Sequence, residues 1–303
     1  MTEAEFRSLR ARLRNRLPWG PEDRKGALNH ITSVERAAAA GEVRLGRAVS
    51  LGTPVEDWVA RDNPDPARHH MKGPLGAEAG TGLSFSMDRV LMNIHGNADS
   101  HIDALCHVIF DGELYNGVAA DTVGEGGAAE LSVGLAADGI VGRGVLLDVP
   151  RSRGVPWLEP GDCVTTDDLV AAERDQGVHL GRGDIALVRV GHRQRRRALG
   201  PWDAAAHRAG LHPSTLPLLA DRQVGALGSD GNSDTAPSLV DGVGFPVHVL
   251  AINALGLMLL DYLQLEDLAS ACEGAGRWSF LCVIAPLRLP TGTGSPVNPI
   301  AVL

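Results

Sequence analysis

Two compact apolar runs, residues 145–149 (VLLDV) and 185–190 (IALVRV), constrain the fold of this chain most. Each has the length of a strand, and a helix is predicted between them from near Thr165 to Gly177, which gives a β-α-β rhythm. The rhythm continues on both sides. Residues 48–51, 90–94, 224–227 and 280–285 read as strands, while 249–259 and 265–272 read as helices. Near the N-terminus, Thr32 and Glu35 have the spacing of a capping box, and the alanine run behind them favours a short helix ended by Gly41. Interleaved strands and helices predict an α/β fold. Residues 63–82 are rich in Pro and Gly and are expected to form a long loop, a kind of segment that often covers a site.

Composition narrows the setting. The 303 residues are 44% hydrophobic and 21% charged, enough to bury a large core, and no Ser/Gly or Pro-rich linker divides them. A single domain is expected overall, with residues 1–45 as an N-terminal helical arm and 46–303 as its body. A formal net charge of −9 disfavours a nucleic-acid partner, which needs a basic face. The exception, Arg193-Gln194-Arg195-Arg196-Arg197, reads as a solvated loop or helix start. Cys106, Cys163, Cys272 and Cys282 are widely spaced and read as reduced packing residues. The first sixteen residues lack the apolar centre of a signal peptide. The longest apolar stretch, 249–260, contains Asn253 and falls short of the ~20 residues of a membrane helix. A cytoplasmic protein with no membrane partner is therefore expected. The sequence carries no internal repeat and no phosphate-cradling glycine motif.

Chemistry gathers in residues 93–108, NIHGNADSHIDALCHV, where three histidines and two aspartates share sixteen positions. In an extended chain His101 and Asp103 fall on one face. An imidazole and a carboxylate side by side can begin a divalent-metal site. His107, four residues further on, reaches the same centre if the chain turns there. Spacing alone leaves a second reading open, in which His101 and Asp103 bond only to each other and His107 is a partly buried structural histidine.

The block S-H-I-D-A-L-C-H, followed by D-G-E-L-Y-N-G at 111–117, resembles the [TS]-H-x-D-x-x-x-H signature of the cyclase-like metal-dependent hydrolases. That family includes bacterial kynurenine formamidase and isatin hydrolase. The W-G-P-E-D run from Trp19, with G-A-L-N at 26–29, is similar to the N-terminal element of its longer, ~300-residue branch. G-D-I-A-L-V-R at 183–189, P-L at 286–287 and G-S-P-V-N-P-I at 294–300 resemble its central strand and its ending. The matches run in the family's order from Trp19 to the C-terminus.

The resemblance implies a swivelling β/β/α fold, a central barrel-like sheet surrounded by helices, assembled as a homodimer or homotetramer. It implies a small-molecule substrate and one divalent metal ion, Zn²⁺ or Mn²⁺, with His101 and Asp103 as ligands and His107 as the acid-base residue. His248, in F-P-V-H, matches a further family histidine. Asp261 stands where the family has glutamate; being one methylene shorter, it is expected to ligate directly, through a water, or to support a ligand. Asn97 stands where two-metal members carry a histidine, and the loss of an imidazole predicts a single or weakly held metal. Trp19 (in a neighbouring subunit's site), His95, Asn97 and His70 are expected near substrate, and S-D-G-N-S-D at 229–234 as a turn-rich pocket loop. The implied reaction is hydrolysis of an amide, formamide or lactam, with a metal-acidified water and His107 passing a proton to the leaving nitrogen. A cyclase or lyase using His107 and Asp103 as base and acid is the alternative. A ligand-binding relative without catalysis is a third possibility, which the intact His101, Asp103 and His107 set argues against.

Overall fold

The computed structural model describes residues 1–14, 16, 18–75 and 82–303. Its centre is a curled, half-barrel sheet of nine strands surrounded by helices. In chain order the strands of the molecule relevant here are β1 (Ala48–Ser50), β2 (Arg68–Leu75), β3 (Phe85–Leu91), β4 (His101–Asp103), β5 (Ile140–Asp148), β6 (Ile185–Arg189), β7 (Ala226–Ser229), β8 (Leu259–Asp261), β9 (Ser279–Ile284), β10 (Gly294–Pro296) and β11 (Ile300–Val302). The sheet runs β1-β11-β9-β5-β6-β7-β8-β4-β10. Its middle, β5 to β8, is parallel, and its two flanks are antiparallel.

The predicted β-α-β unit is present. All five residues of β6 and the last five of β5 are buried, as continuous apolar runs must be when a sheet is covered on both faces. The crossover helix α1 (Thr166–Gln176) begins at a capping box between Thr165 and Asp168 and ends at Gly177, whose left-handed φ of 63° suits a residue without a Cβ. The Thr32–Glu35 box likewise starts the helix Ser33–Ala40. The first helix, Glu3–Arg14, turns Phe6, Leu9 and Leu13 into the chain's own core. All four cysteines are free, and three are buried. Among the described residues no helix is long and apolar enough to cross a membrane.

Four expectations change. The Pro/Gly-rich stretch 63–82 contains β2, which pairs antiparallel with β3 as a hairpin; Gly73 and Pro74 fall at a register irregularity instead of ending the strand, and 76–81 lie outside the described residues. The strand expected at 90–94 is consequently shifted, ending at Leu91. The helix expected over 249–259 stops at Ala254, because Gly256, at φ 62°, packs where a Cβ would lie 2.6 Å from the Gly26 Cα; the chain then straightens into β8. The basic run starts the helix His192–Leu199, but of its arginines only Arg197 is exposed. Arg193 is buried and donates to the carbonyls of Ala98 and Tyr262, while Arg196 is held by Glu56 and Asp62.

The N-terminal motif has a structural use. Asp23 accepts from the Gly26 amide (2.9 Å), the Asn29 side chain (2.7 Å) and the Tyr115 hydroxyl (2.8 Å). Asn116 donates back to the carbonyls of Gly20, Pro21 and Asp23, so the W-G-x-x-D element and the D-G-E-L-Y-N-G element clasp each other.

Candidate active site

The site is built where β4 lies between β8 and β10. His101 and Asp103 alternate with Ile102, which is fully buried, so the strand's period of two sends both polar side chains to one face and Ile102 to the core. Register does the rest. Asp261 of β8 is directly opposite His101, and buried Leu260 is opposite Ile102, so the third polar group joins the same face. Gly294 of β10 is opposite Asp103. A Cβ there would meet the His95 ring at 2.7 Å, so the glycine leaves room for that imidazole to approach Asp103.

Asp103 is the hub. Its Oδ1 is 2.8 Å from His95 Nδ1 and 3.7 Å from His101 Nε2; its Oδ2 faces His248 Nε2 at 3.4 Å and, although buried, has no hydrogen bond among the described residues. His248 Nε2 is also 3.5 Å from Asp261 Oδ2. Two groups of potential ligand atoms, each within 4.8 Å of one another, therefore share this carboxylate: His95, His101 and Asp103, and Asp103, His248 and Asp261.

The surrounding bonds orient these groups. His101 Nδ1 donates to the Asp99 carbonyl (2.9 Å) and His248 Nδ1 to Asp234 Oδ2 (2.6 Å), which turns both Nε2 atoms toward the centre. Asp234 is itself fixed by the backbone amides of Val247 and His248. Asp261 accepts from Asn232 (2.8 Å) and from the Ser233 hydroxyl (2.8 Å) and amide (3.2 Å). Burial would raise the Asp103 pKa, but His248, His95 and the other nearby imidazoles hold it well below the usual carboxylate range. Burial would lower that of His248, yet Asp103, Asp234 and Asp261 carry it well above the usual imidazole value.

His107 sits after a turn in which its amide bonds the Ala104 carbonyl (3.0 Å). The turn lays its ring flat on His95, with centroids 3.9 Å apart and planes 11° apart. Burial pushes its pKa down to about 4, against the partial pull of Asp103, so the ring is neutral at pH 7. These groups open on a cavity of about 580 Å³, whose wall continues through Val108, Phe110, Val243, Phe245 and Arg208.

The structure thus brings His101, Asp103, His107, His248 and Asp261 together, with His95 among the possible metal ligands instead of only beside a substrate. Asn97 lines the cavity but accepts from the Tyr262 hydroxyl (2.9 Å) and belongs to neither ligand group; His95 supplies the imidazole that Asn97 cannot. Two expected substrate residues do not line this chain's cavity, and for Trp19 the expectation concerns a neighbouring subunit's site. His70 is exposed on the β2–β3 hairpin, a pairing separate from the nine-stranded sheet, and does not line the cavity. Trp19 packs edge-on against His30 (4.8 Å) and borders a separate small hollow. The sequence reading missed Asp234, Asn232 and Ser233 as orienting groups, although it placed their S-D-G-N-S-D run near the pocket. Arg208 gave no signal, being an isolated arginine in sequence.

The Cyclase family model matches residues 43–234, well over half of the chain. No curated protein sequence matches it. Among solved structures, one described as a novel cyclase is 29% identical, covering 94% of this chain and 96% of its own, with a TM-score of 0.84. Isatin hydrolase A from Labrenzia aggregata, bound to benzyl benzoate, shares 22% identity over 89% of this chain and 98% of its own, with a TM-score of 0.58. A predicted metal-dependent hydrolase from Bacillus stearothermophilus shares 17% identity over 84% and 97%, with a TM-score of 0.51. The last two show a common fold. With its family model matched across the segment that holds His101, Asp103 and His107, this chain belongs to the Cyclase family.

Proposed function

We propose that this chain is a metal-dependent hydrolase that cleaves the C–N bond of a small amide, formamide or lactam. The observation that carries the reading is the buried Asp103 Oδ2, which makes no hydrogen bond among the described residues while His248 Nε2 faces it at 3.4 Å; Asp261 lies on the far side of that imidazole, and His101 Nε2 lies near Oδ1 of the same carboxylate. An unpaired buried carboxylate oxygen is costly, and a divalent cation satisfies it. The donor set fits such an ion: Asp103 would hold it with His248 and Asp261, or with His95 and His101, and imidazole-carboxylate sites suit zinc or manganese. When bound, the metal supplies Lewis-acid polarisation of a carbonyl and acidifies water.

The chain's own residues do the remainder. His107, neutral at pH 7 and held in plane by His95, accepts a proton from water at a ring nitrogen; its low pKa lets it release that proton readily to the departing nitrogen. Asp234 holds His248 through Nδ1, which turns Nε2 toward the centre. Val243 and Phe245 give the cavity an apolar wall.

Elemental analysis beside an amide and lactam panel tests the proposal. About one divalent ion per chain is expected in wild type, lost together with turnover in His101→Ala and Asp103→Ala; protein that takes up no metal even after reconstitution sinks the reading. A cyclase or lyase acting through His107 and Asp103 is favoured by one observation, that Asp261 is already occupied by Asn232 and Ser233. Undiminished turnover after chelation supports that alternative. A homodimer or homotetramer is part of the proposal, supported by the exposed apolar residues Met71, Phe85, Met87, Val90 and Leu91 of the hairpin; sedimentation as a monomer at micromolar concentration counts against it.

A further inference from the structure

Arg208 is the charge in the cavity wall that the hydrolytic reading does not use. Its side chain is 2% exposed, and its guanidinium lies 5.1 Å from the Phe245 ring centroid. Nε donates to the Asp234 carbonyl (2.9 Å), and Nη1 donates to the carbonyls of Ala204 (3.0 Å) and Ala205 (2.8 Å). All three acceptors are neutral. Nη2 makes no hydrogen bond among the described residues, and none of their carboxylates pairs with this guanidinium. The nearby Asp234 carboxylate is occupied by His248 and two backbone amides.

Other buried arginines differ in a telling way. Arg189 meets Asp148 and Glu266, and Arg196 meets Glu56 and Asp62. Arg193 bonds only carbonyls, as Arg208 does, but it does not line the catalytic cavity. Arg208 alone among these four is a buried cation that borders the space a substrate would fill and lacks an anionic partner. Three backbone bonds hold its fork in place before any ligand arrives, which lowers the ordering cost of using it. A guanidinium so fixed suits a carboxylate, and the Phe245 and Val243 side chains beside it suit a flat apolar body.

We propose that Arg208 is a specificity-determining anchor, whose Nη2 receives a carboxylate carried by the amide or lactam substrate, with the substrate's planar portion against Phe245. The proposal rests on the hydrolase reading only for the identity of the scissile group. It predicts that negatively charged aromatic amides are preferred over neutral ones of the same shape.

Calorimetric titration of the metal-loaded protein with benzoate and with benzamide, which differ in charge and little in shape, tests it near neutral pH. Benzoate is expected to bind at least about 10-fold more tightly, and Arg208→Gln to erase that preference while leaving benzamide binding within about 3-fold. A folded Arg208→Gln protein that keeps the preference, or a wild type that shows none, overturns the proposal. Because benzoate can also reach a metal, the same pair is titrated into chelator-treated wild type. The preference survives there if Arg208 is the anchor and vanishes if the metal alone binds the carboxylate. That arm decides the matter even if Arg208→Gln fails to fold. Neither arm reads turnover, so a failed hydrolase assignment leaves this outcome distinguishable.

Discussion

Two histidine-aspartate pairs in this molecule have similar atoms and opposite surroundings. On the β2–β3 hairpin, His69 Nε2 lies 3.0 Å from Asp88 Oδ2, with side chains 42% and 59% exposed. At the β4 edge, His95 Nδ1 lies 2.8 Å from Asp103 Oδ1, with side chains 24% and 1% exposed. Water screens the first pair, so its contribution is small. The second sits among further imidazoles and carboxylates in a poorly screened interior, where each neighbour shifts the others' protonation. Distance alone does not separate a surface contact from a reactive centre. Burial, orientation and the number of converging groups do.

The contrast can be broken in four places. The largest effect is expected from His107→Ala, which should lower turnover of an identified substrate by about 10²–10⁴-fold with metal content unchanged; steady-state kinetics beside elemental analysis reads this, and full activity would remove His107 from the chemistry. Next, Leu260→Ala, which hollows the core beneath the Asp261 backbone, should cost roughly 2–5 kcal/mol in denaturant unfolding. Asp234→Asn, which disturbs the bond that orients His248, should weaken metal affinity by about 10–100-fold in a chelator competition. The smallest change is expected from His69→Ala on the hairpin, below about 0.5 kcal/mol in the same unfolding measurement and without effect on metal content. If the His69 and Asp234 variants gave equal losses of metal, the distinction between exposed and buried pairs would collapse.

Legibility followed interaction range. The helix cap at Thr32 was readable because a capping box closes within four residues, and the helix start near Thr165 followed from local pattern, its capping box coming from the structure. The shared face of His101 and Asp103 was readable because a strand repeats every two residues. The hairpin was obscured by Pro and Gly, which usually punctuate loops but here fall at an irregularity in the pairing. The helix expected over 249–259 was overrun because its stop depends on Gly26, a residue far away in sequence. Arg193 looked solvated in a run of arginines, whereas its partners, the Ala98 and Tyr262 carbonyls, come from other parts of the chain.

By itself the sequence determined the α/β character, the core strands and the block that carries His101, Asp103 and His107. These depend on local periodicity and on motifs read along one segment. Only the tertiary structure decided that Asp261 stands opposite His101, that His95 joins the possible ligands and Asn97 does not, that Asp234 orients His248, and that Arg208 borders the cavity with no carboxylate paired to it among the described residues. The reason is physical: strand register, burial and the pairing of charges arise between residues remote in sequence, and they exist only once the chain has closed on itself.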